Sequence, residues 1–296
     1  MQRLKLTQKK VAPYLFLLPF LLIFAAFQVY PLIYGILISF YRFRGLAERH
    51  FVGLDNYARL LKNPQFYQAL ENTTYYTVGT LILLIPIPII LAALLHSKLT
   101  KGAGVYQTAT FLPALTSLVV VGAVFRLLLD ERGGIVNAAL MAVGLAPQKW
   151  LTSAALVIPS LLILAFWRWT GVNIIYFLSG LTAIPQELYE AAAIDGATGF
   201  RRFWHITLPL LKPVAIFVTI ISTIGGYQLF TEVYVLWPQG GTPGNAGLTL
   251  ALALYRAAFR SFDLGYAGAL GVVMGVIIMV LSVIQFKLFG FFKDVE

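Results

Sequence analysis

The most regular feature of the chain is a series of long runs in which nearly every residue is apolar. Six runs are long enough to cross the hydrocarbon core of a membrane, which takes roughly 20 apolar residues in a helix. They cover residues 14–40, 74–96, 108–129, 154–181, 213–234 and 266–289. The runs are apolar on every side instead of alternating with period two, which argues against the strands of a membrane barrel. Because helices bond their own backbone in lipid, the pattern predicts an all-α integral membrane protein with six transmembrane helices.

The composition agrees with this pattern. Of the 296 residues, 59% are hydrophobic and only 11% are charged, and the mean hydropathy is +0.81. Soluble domains carry about 25% charged residues, so this chain has too few to cover a water-facing surface. A soluble enzyme, a disordered chain and a nucleic-acid-binding domain are therefore disfavoured. The net charge of +10 is better explained by membrane topology than by a nucleic-acid partner.

The orientation depends mainly on the first segment of the chain. Arg3, Lys5, Lys9 and Lys10 precede the first apolar run, which is too long for the core of a signal peptide. Residues 1–13 are thus predicted to form a cytoplasmic basic tail, and residues 14–296 a six-span domain. Other basic residues divide almost evenly between the two sides. Six spans after a cytoplasmic tail place both termini in the cytoplasm.

The loop between the fourth and fifth spans, residues 182–212, carries the clearest local signals. Pro185 suits a helix start and Gly196 suits a helix stop, since glycine adopts positive φ at no steric cost. Thr198 can cap a second, amphipathic helix. Alanines 191–193 make the first helix small and smooth. The residues alone leave two alternatives open: a helix lying along the membrane surface, or one inserted into a groove of a partner.

A family resemblance rests on this loop and on several other motifs. Glu-Ala-Ala at 190–192, Asp-Gly-Ala at 195–197 and Ile-x-Leu-Pro at 206–209 resemble the EAA motif of permease subunits of binding-protein-dependent ABC importers. Segments 51–57, 111–113, 230–236 and 240–243 resemble carbohydrate permeases of the F type. Together these motifs extend over nearly the whole chain.

The resemblance implies a type I ABC importer permease fold in which the 182–212 loop forms a coupling helix against an ATPase subunit. Carried over residue by residue, the coupling positions are Glu190, Ala191, Ala192, Asp195, Gly196, Ala197, Arg201 and Pro209. The implied partners are a second, G-type permease in a pseudo-two-fold heterodimer, two ATP-binding subunits and an extracytoplasmic solute-binding protein. The implied substrate is a carbohydrate, and the implied location is the lipid of a prokaryotic cell membrane.

The chain is not expected to be an enzyme. It contains no G-x-x-x-x-G-K-[ST] phosphate-binding sequence, so ATP and Mg are expected in the partner subunits and no cofactor in this chain. His50, His96 and His205 lie in or beside separate loops without the paired spacing of metal ligands, so no metal is predicted. No nucleophile motif is present, and no catalytic residue is assigned.

Two other functions are weighed against an ATP-driven permease. An ion-coupled secondary transporter acting without an ATPase usually needs ionisable groups at mid-membrane. Here Asp130, Glu131, Glu232 and Asp263 lie at span edges or in loops, which weakens that alternative. A membrane-embedded enzyme is disfavoured because no cluster of carboxylates lies within the spans.

A candidate substrate site lies in the fourth and fifth spans, between which the solute is held in the importers that the chain resembles. Arg168 is costly near mid-span, by about 2.5–3.5 kcal/mol, so it should face the bundle or a wet cavity. Tryptophan faces can pack on sugar rings, while amides and hydroxyls bond their hydroxyl groups. The alternative is that the tryptophans are interfacial anchors or packing residues. The candidates are Trp167, Arg168, Trp169, Asn173, Ser222, Tyr227, Gln228 and Glu232.

Overall fold

A computed structural model of the chain describes residues 2–44, 48–97 and 100–289, without the side chains of residues 2–9, 44 and 239. The side chains of Arg3, Lys5 and Lys9 in the predicted basic tail therefore lie outside the described part. In chain order, the elements are α1 (Gln2–Phe24), α2 (Tyr30–Ile38), β1 (Tyr41–Arg44), β2 (Glu48–Phe51), α3 (Asp55–Lys62), α4 (Pro64–Leu84), α5 (Pro86–His96), α6 (Ala103–Leu115), α7 (Leu118–Leu128), α8 (Ile135–Ala142), α9 (Val157–Thr182), α10 (Gln186–Ile194), α11 (Gly199–Arg202), α12 (Leu208–Leu210), α13 (Lys212–Tyr227), α14 (Thr231–Leu236), α15 (Leu250–Tyr255) and α16 (Leu264–Leu288).

The predicted all-α membrane class is confirmed by the length and composition of these helices. Four helical segments are long and apolar enough to cross a membrane unaided. They are Lys10–Ile38, which includes α2 and most of α1, Pro64–His96, which joins α4 and α5, Ala154–Thr182, which contains α9, and Leu264–Leu288, which is α16. Two bent pairs, Ala103–Leu115 with Leu118–Leu128 and Gly199–Leu210 with Lys212–Tyr227, raise the number of spans to as many as six. The short β1–β2 hairpin in the first loop was not expected from the sequence.

The third and fifth spans differ in detail from the expected ranges. The sequence predicts one span over residues 108–129, but the helix axis bends by 100° between α6 and α7. Thr116 and Ser117 are extended at the break, just after Pro113, which has no N–H to continue the helix. The expected span 213–234 is also interrupted, since α13 ends at Tyr227 and the helical backbone resumes only at Thr231.

The structure divides into two compact units, which are described separately. Among the described residues, one unit contains 2–63 and 254–275, and the other contains 64–253 and 276–289. In the first unit, the window of highest hydropathy in Lys10–Ile38 has no buried residue. Its apolar side chains, such as Phe16 and Phe27, are exposed on the protein itself, as expected of a helix that lipid or a partner helix covers.

Polar contacts hold the loops of the first unit together. Strands β1 and β2 pair antiparallel, with Tyr41 opposite Phe51. The buried Asn56 amide donates to the backbone oxygens of Ser39 and Tyr41, each at 2.9 Å. The Arg59 guanidinium forms an ion pair of 2.8 Å with Asp263. These contacts connect the first loop of the chain to residues that precede α16.

The second unit has its core where α5, α9 and α13 meet. Its buried apolar residues are Ile89, Ala92, Ile174, Phe177, Leu181, Leu211 and Val218. Ile184 and Phe203, which flank α10 in sequence, pack against this cluster. The start of the 182–212 loop and its return are therefore attached directly to the membrane helices.

Candidate functional site

The second unit contains a cavity of about 320 Å³ between five of its helices and the segment that joins α13 to α14. This volume is at the lower end of the range of about 300–1,000 Å³ that is typical of small-molecule sites. The lining residues are Tyr76, Thr80 and Leu84 from α4, Leu118 from α7, Trp169, Val172, Asn173 and Tyr176 from α9, Ile221, Ser222, Gly225 and Gly226 from α13, Gln228 and Leu229 after it, and Thr231 and Glu232 from α14. The wall thus combines aromatic rings with hydroxyl, amide and carboxylate groups.

The structure brings together five of the eight predicted substrate residues. These are Trp169, Asn173, Ser222, Gln228 and Glu232, which all line the cavity. Trp167 lies outside the lining and packs against Phe125, with ring centroids 5.3 Å apart. Tyr227 is also outside the lining, is buried, and shares a hydrogen bond of 3.0 Å with the Thr74 hydroxyl.

Arg168 is the third residue outside the lining. Its guanidinium donates to three backbone oxygens at the end of α6: Pro113 at 3.3 Å, Ala114 at 3.2 Å and Thr116 at 2.9 Å. Its Cζ atom lies 5.3 Å from the ring centroid of Trp169, which is within the range of a cation–π contact. Arg168 is 8% exposed and faces the interior of the bundle, one of the two environments expected for it.

Asn173 has a structural contact in addition to its place in the lining. Its side-chain nitrogen donates to the backbone oxygen of Leu84 at 2.7 Å. In a regular helix this oxygen would accept from the residue four positions later, but that residue is Pro88, which has no N–H. The amide therefore satisfies a carbonyl that the proline leaves without a helical partner.

Sequence reasoning missed the contribution of α4 to the cavity. Tyr76 and Thr80 lie in an otherwise apolar helix, and Thr73 and Thr77 continue the same stripe at helical spacing. This polar stripe was the signal that could have identified the helix. Gly226 brings α13 close to it, since a Cβ atom there would lie 2.5 Å from the Thr77 hydroxyl oxygen.

The 182–212 loop has the local structure that its residues predict. Gly196 has φ +74° directly after α10, and its N–H donates to Ala193 while that of Ala197 donates to Ala192. These two bonds are the Schellman arrangement that ends a helix. The Thr198 hydroxyl accepts from the Arg201 N–H at 3.4 Å and caps α11.

The α10 helix and the turn after it form an exposed surface. No residue of α10 is buried, and Ile194 and Phe200 are 87% and 75% exposed. Glu190, Asp195, Gly196, Arg201 and Pro209 are exposed as well, whereas Ala192 and Ala197 are half-buried. A hydrogen bond of 3.0 Å between the Tyr189 and Thr207 hydroxyls ties α10 to the returning chain. The predicted coupling positions thus form a projecting element attached firmly at its base.

Within the residues that the structure describes, no group of three histidine, aspartate or glutamate side chains could hold a metal ion. A polytopic helical protein with a solute-sized cavity among its spans belongs to the class of membrane permeases.

The chain belongs to the family of binding-protein-dependent transport system inner membrane components, whose model matches residues 10–292. It is 49% identical over 286 residues to the arabinooligosaccharides transport system permease protein AraP of Bacillus subtilis, covering 96% of this chain and 90% of that protein. It is 38% identical to the lactose transport system permease protein LacF of Rhizobium radiobacter, covering 92% of each.

A solved structure of similar fold is a chain of a bacterial ABC transporter that imports the acidic polysaccharide alginate. The TM-score is 0.84 and the sequence identity 26%, covering 97% of this chain and 98% of that chain. The expected ABC importer permease fold is thereby confirmed. Family membership also decides between the transport alternatives, since a binding-protein-dependent permease is the membrane subunit of an ATP-driven importer and the ATPase is a separate subunit.

Proposed function

We propose that this chain forms part of the pathway by which a carbohydrate, delivered by an extracytoplasmic solute-binding protein, enters the cell. The observation that carries the proposal is the cavity lined by Trp169, Asn173, Ser222, Gln228 and Glu232. An indole face can pack on the C–H face of a sugar ring, while amide, hydroxyl and carboxylate groups bond its hydroxyls. The names of the related permeases, which refer to arabinooligosaccharides and lactose, support a neutral sugar as substrate.

Two neighbouring tryptophans of α9 provide a matched test of the cavity. We expect Trp169→Ala to reduce uptake of radiolabelled arabinotriose into liposomes at least tenfold while the transporter still assembles, and Gln228→Ala to act in the same direction. Trp167→Ala is the control, because this residue packs against Phe125 outside the lining. Unchanged uptake in Trp169→Ala and Gln228→Ala would remove both residues from the proposed pathway.

The exposed loop is proposed to be the coupling element that docks on an ATP-binding subunit. Small side chains at Ala191 and Ala192 permit a close approach, and the exposed Ile194 and Phe200 offer apolar area for burial. Glu190 supplies a carboxylate for polar or basic groups of that subunit. ATP and Mg are proposed to bind there and not to this chain, and closure of two such subunits would move α10 with them.

Two glycines of the loop test this coupling. Gly196→Val places a β-branched residue at φ +74°, which should distort the end of α10, whereas Gly199→Val changes an open position outside the positive-φ region. We expect Gly196→Val and Glu190→Lys to abolish stimulation of ATP hydrolysis by loaded binding protein, and Gly199→Val to retain most of it. Full stimulation in the first two variants would contradict the coupling role.

The remaining parts of the assembly are also proposals. The importer would contain a second, sister permease in pseudo-two-fold relation to this chain, with two ATP-binding subunits below them and both termini of this chain in the cytoplasm. Since the chain has no cysteine, single cysteines report sidedness directly. A membrane-impermeant maleimide should label Lys101→Cys, in the loop between the second and third spans, from the cytoplasmic side only and Val143→Cys, also at an exposed position, from outside only. The reverse pattern would invert the proposed topology.

A further inference from the structure

The break between α6 and α7 leaves backbone groups without helical partners within an expected membrane span. The helix axis bends by 100° there, and the end of α6 leaves the backbone oxygens of Pro113, Ala114 and Thr116 close together. The last carbonyls of a helix have no partner within the helix, and an unsatisfied carbonyl in the membrane costs several kcal/mol. The Pro113 oxygen accepts from the Thr116 hydroxyl at 2.6 Å, whereas the oxygens of Ala114 and Thr116 need a donor from elsewhere.

Arg168 is that donor. Its two terminal nitrogens reach all three oxygens at 2.9–3.3 Å, and its planar fork suits several acceptors at once. Its positive charge lies at the carboxyl end of α6, where the helix dipole favours a cation. This explains how an arginine can be only 8% exposed in an apolar helix with no carboxylate bonded to it among the described residues.

Two glycine contacts show which elements lie on each side of the break. A Cβ atom at Gly171 would lie 1.9 Å from the Thr110 backbone oxygen, so α6 is in direct backbone contact with α9. A Cβ atom at Gly122 would lie 2.4 Å from Val235 Cγ2, so α7 packs closely against α14. Trp169 and its neighbours on α9, Leu118 of α7 and two residues of α14 all line the cavity. The break therefore lies between an element packed on α9 and an element packed on α14, both of which line the cavity.

We propose that Arg168 is a positioning residue that holds the third span bent and thereby sets where α7 and α14 lie relative to α9 around the cavity. It does so from outside the cavity, through the carbonyls at the end of α6 and through its contact with the Trp169 ring. The bend that Arg168 holds does not depend on which solute is transported, whereas any effect of Arg168 on uptake rests on the proposed function.

Distance measurements between spin labels test the bend directly. The chain has no cysteine, so Val105→Cys on α6 and Leu127→Cys on α7, both at exposed positions, provide one labelled pair in the assembled transporter in nanodiscs. From a rise of 1.5 Å per residue and the 100° bend, the two labelled backbone positions are about 21 Å apart, against about 33 Å for a straight span. We expect Arg168→Gln to shift part of the population by several Å toward the longer distance, and Arg168→Lys to shift less.

Two controls separate positioning from loss of charge and from general loss of stability. Arg126→Gln removes an exposed arginine of α7, and Leu164→Ala opens a void at a buried position of α9. Both should leave the label distance unchanged. If Arg168→Gln does not assemble, Arg168→Lys provides the decisive measurement. An unshifted distance in the variant that assembles would overturn the proposal. Absence of arabinotriose uptake by the wild-type importer would instead exclude arabinotriose as its substrate and leave the distance result intact.

Discussion

The contact between α6 and α9 makes Gly171 highly sensitive to a small change. In Gly171→Ala, the new methyl carbon would lie 1.9 Å from the Thr110 oxygen and 2.3 Å from its carbonyl carbon. A relaxed carbon–oxygen contact needs about 3.3 Å, so α6 must move back by about 1.4 Å. Such a displacement would stretch the hydrogen bonds of Arg168, now 2.9–3.3 Å long, beyond bonding distance.

The expected cost follows from this geometry. Overpacking a core usually costs about 1–3 kcal/mol, and the obstructing atoms here belong to backbone that cannot rotate away. We therefore expect Gly171→Ala to destabilise the permease by about 3 kcal/mol. The assay is thermal unfolding of the assembled transporter in nanodiscs, followed by tryptophan fluorescence, in which the variant should melt several degrees below the wild type.

At a second glycine, the same substitution by alanine should have the opposite effect on stability. Gly104 lies in α6, where a Cβ atom would meet nothing within 4 Å. Gly104→Ala should therefore stabilise the protein by about 0.5–1 kcal/mol, because alanine loses less backbone freedom in a helix. If the two variants melted at the same temperature, the close α6–α9 contact would be refuted.

The remaining predictions concern loops outside the spans. Hydrogen bonds from Gly133 and Arg132 hold the pKa of the Asp130 carboxyl below its ordinary value of 3.8, so the stability that Asp130 contributes is fully present above that pH and is lost as the pH falls through the lowered value. The melting difference between wild type and Asp130→Ala should therefore be largest near pH 7 and shrink below pH 3.8; a difference that grew on acidification would contradict this. Asn137→Ala should cost about 3 kcal/mol, since the buried amide bonds Gln148 and Trp150, and should speed hydrogen exchange in residues 130–150; unchanged exchange would exclude this role. Phe262→Asn should raise the melting temperature slightly, because the exposed Phe262 has φ +52° and asparagine tolerates this conformation better; a lower melting temperature would show that the ring contributes to packing.

Features that depend on neighbours in the chain could be predicted from the sequence. Apolar run length indicated the membrane class, and the EAA-like motif indicated the family. Gly196 and Thr198 marked the end of α10 and the start of α11, because a helix stop and a helix cap each involve bonds over three to five residues.

The candidate substrate site was predicted only in part. Residue types indicated that α9 and α13 carry polar and aromatic groups, and five of the eight residues line the cavity. Which side of a helix faces a cavity depends on its neighbours, so Trp167 and Trp169, two positions apart, have different surroundings. The contribution of α4 was missed for the same reason.

The sequence by itself determined that this chain is a helical membrane permease, since hydropathy and local motifs are properties of contiguous residues. Only the tertiary structure decided that the third span is bent and that Arg168 binds its carbonyls instead of lining the cavity. Those partners lie more than fifty positions earlier in the chain, at Pro113, Ala114 and Thr116. A buried charge requires a partner on physical grounds, but the packing of α6 on α9 determines which atoms supply it.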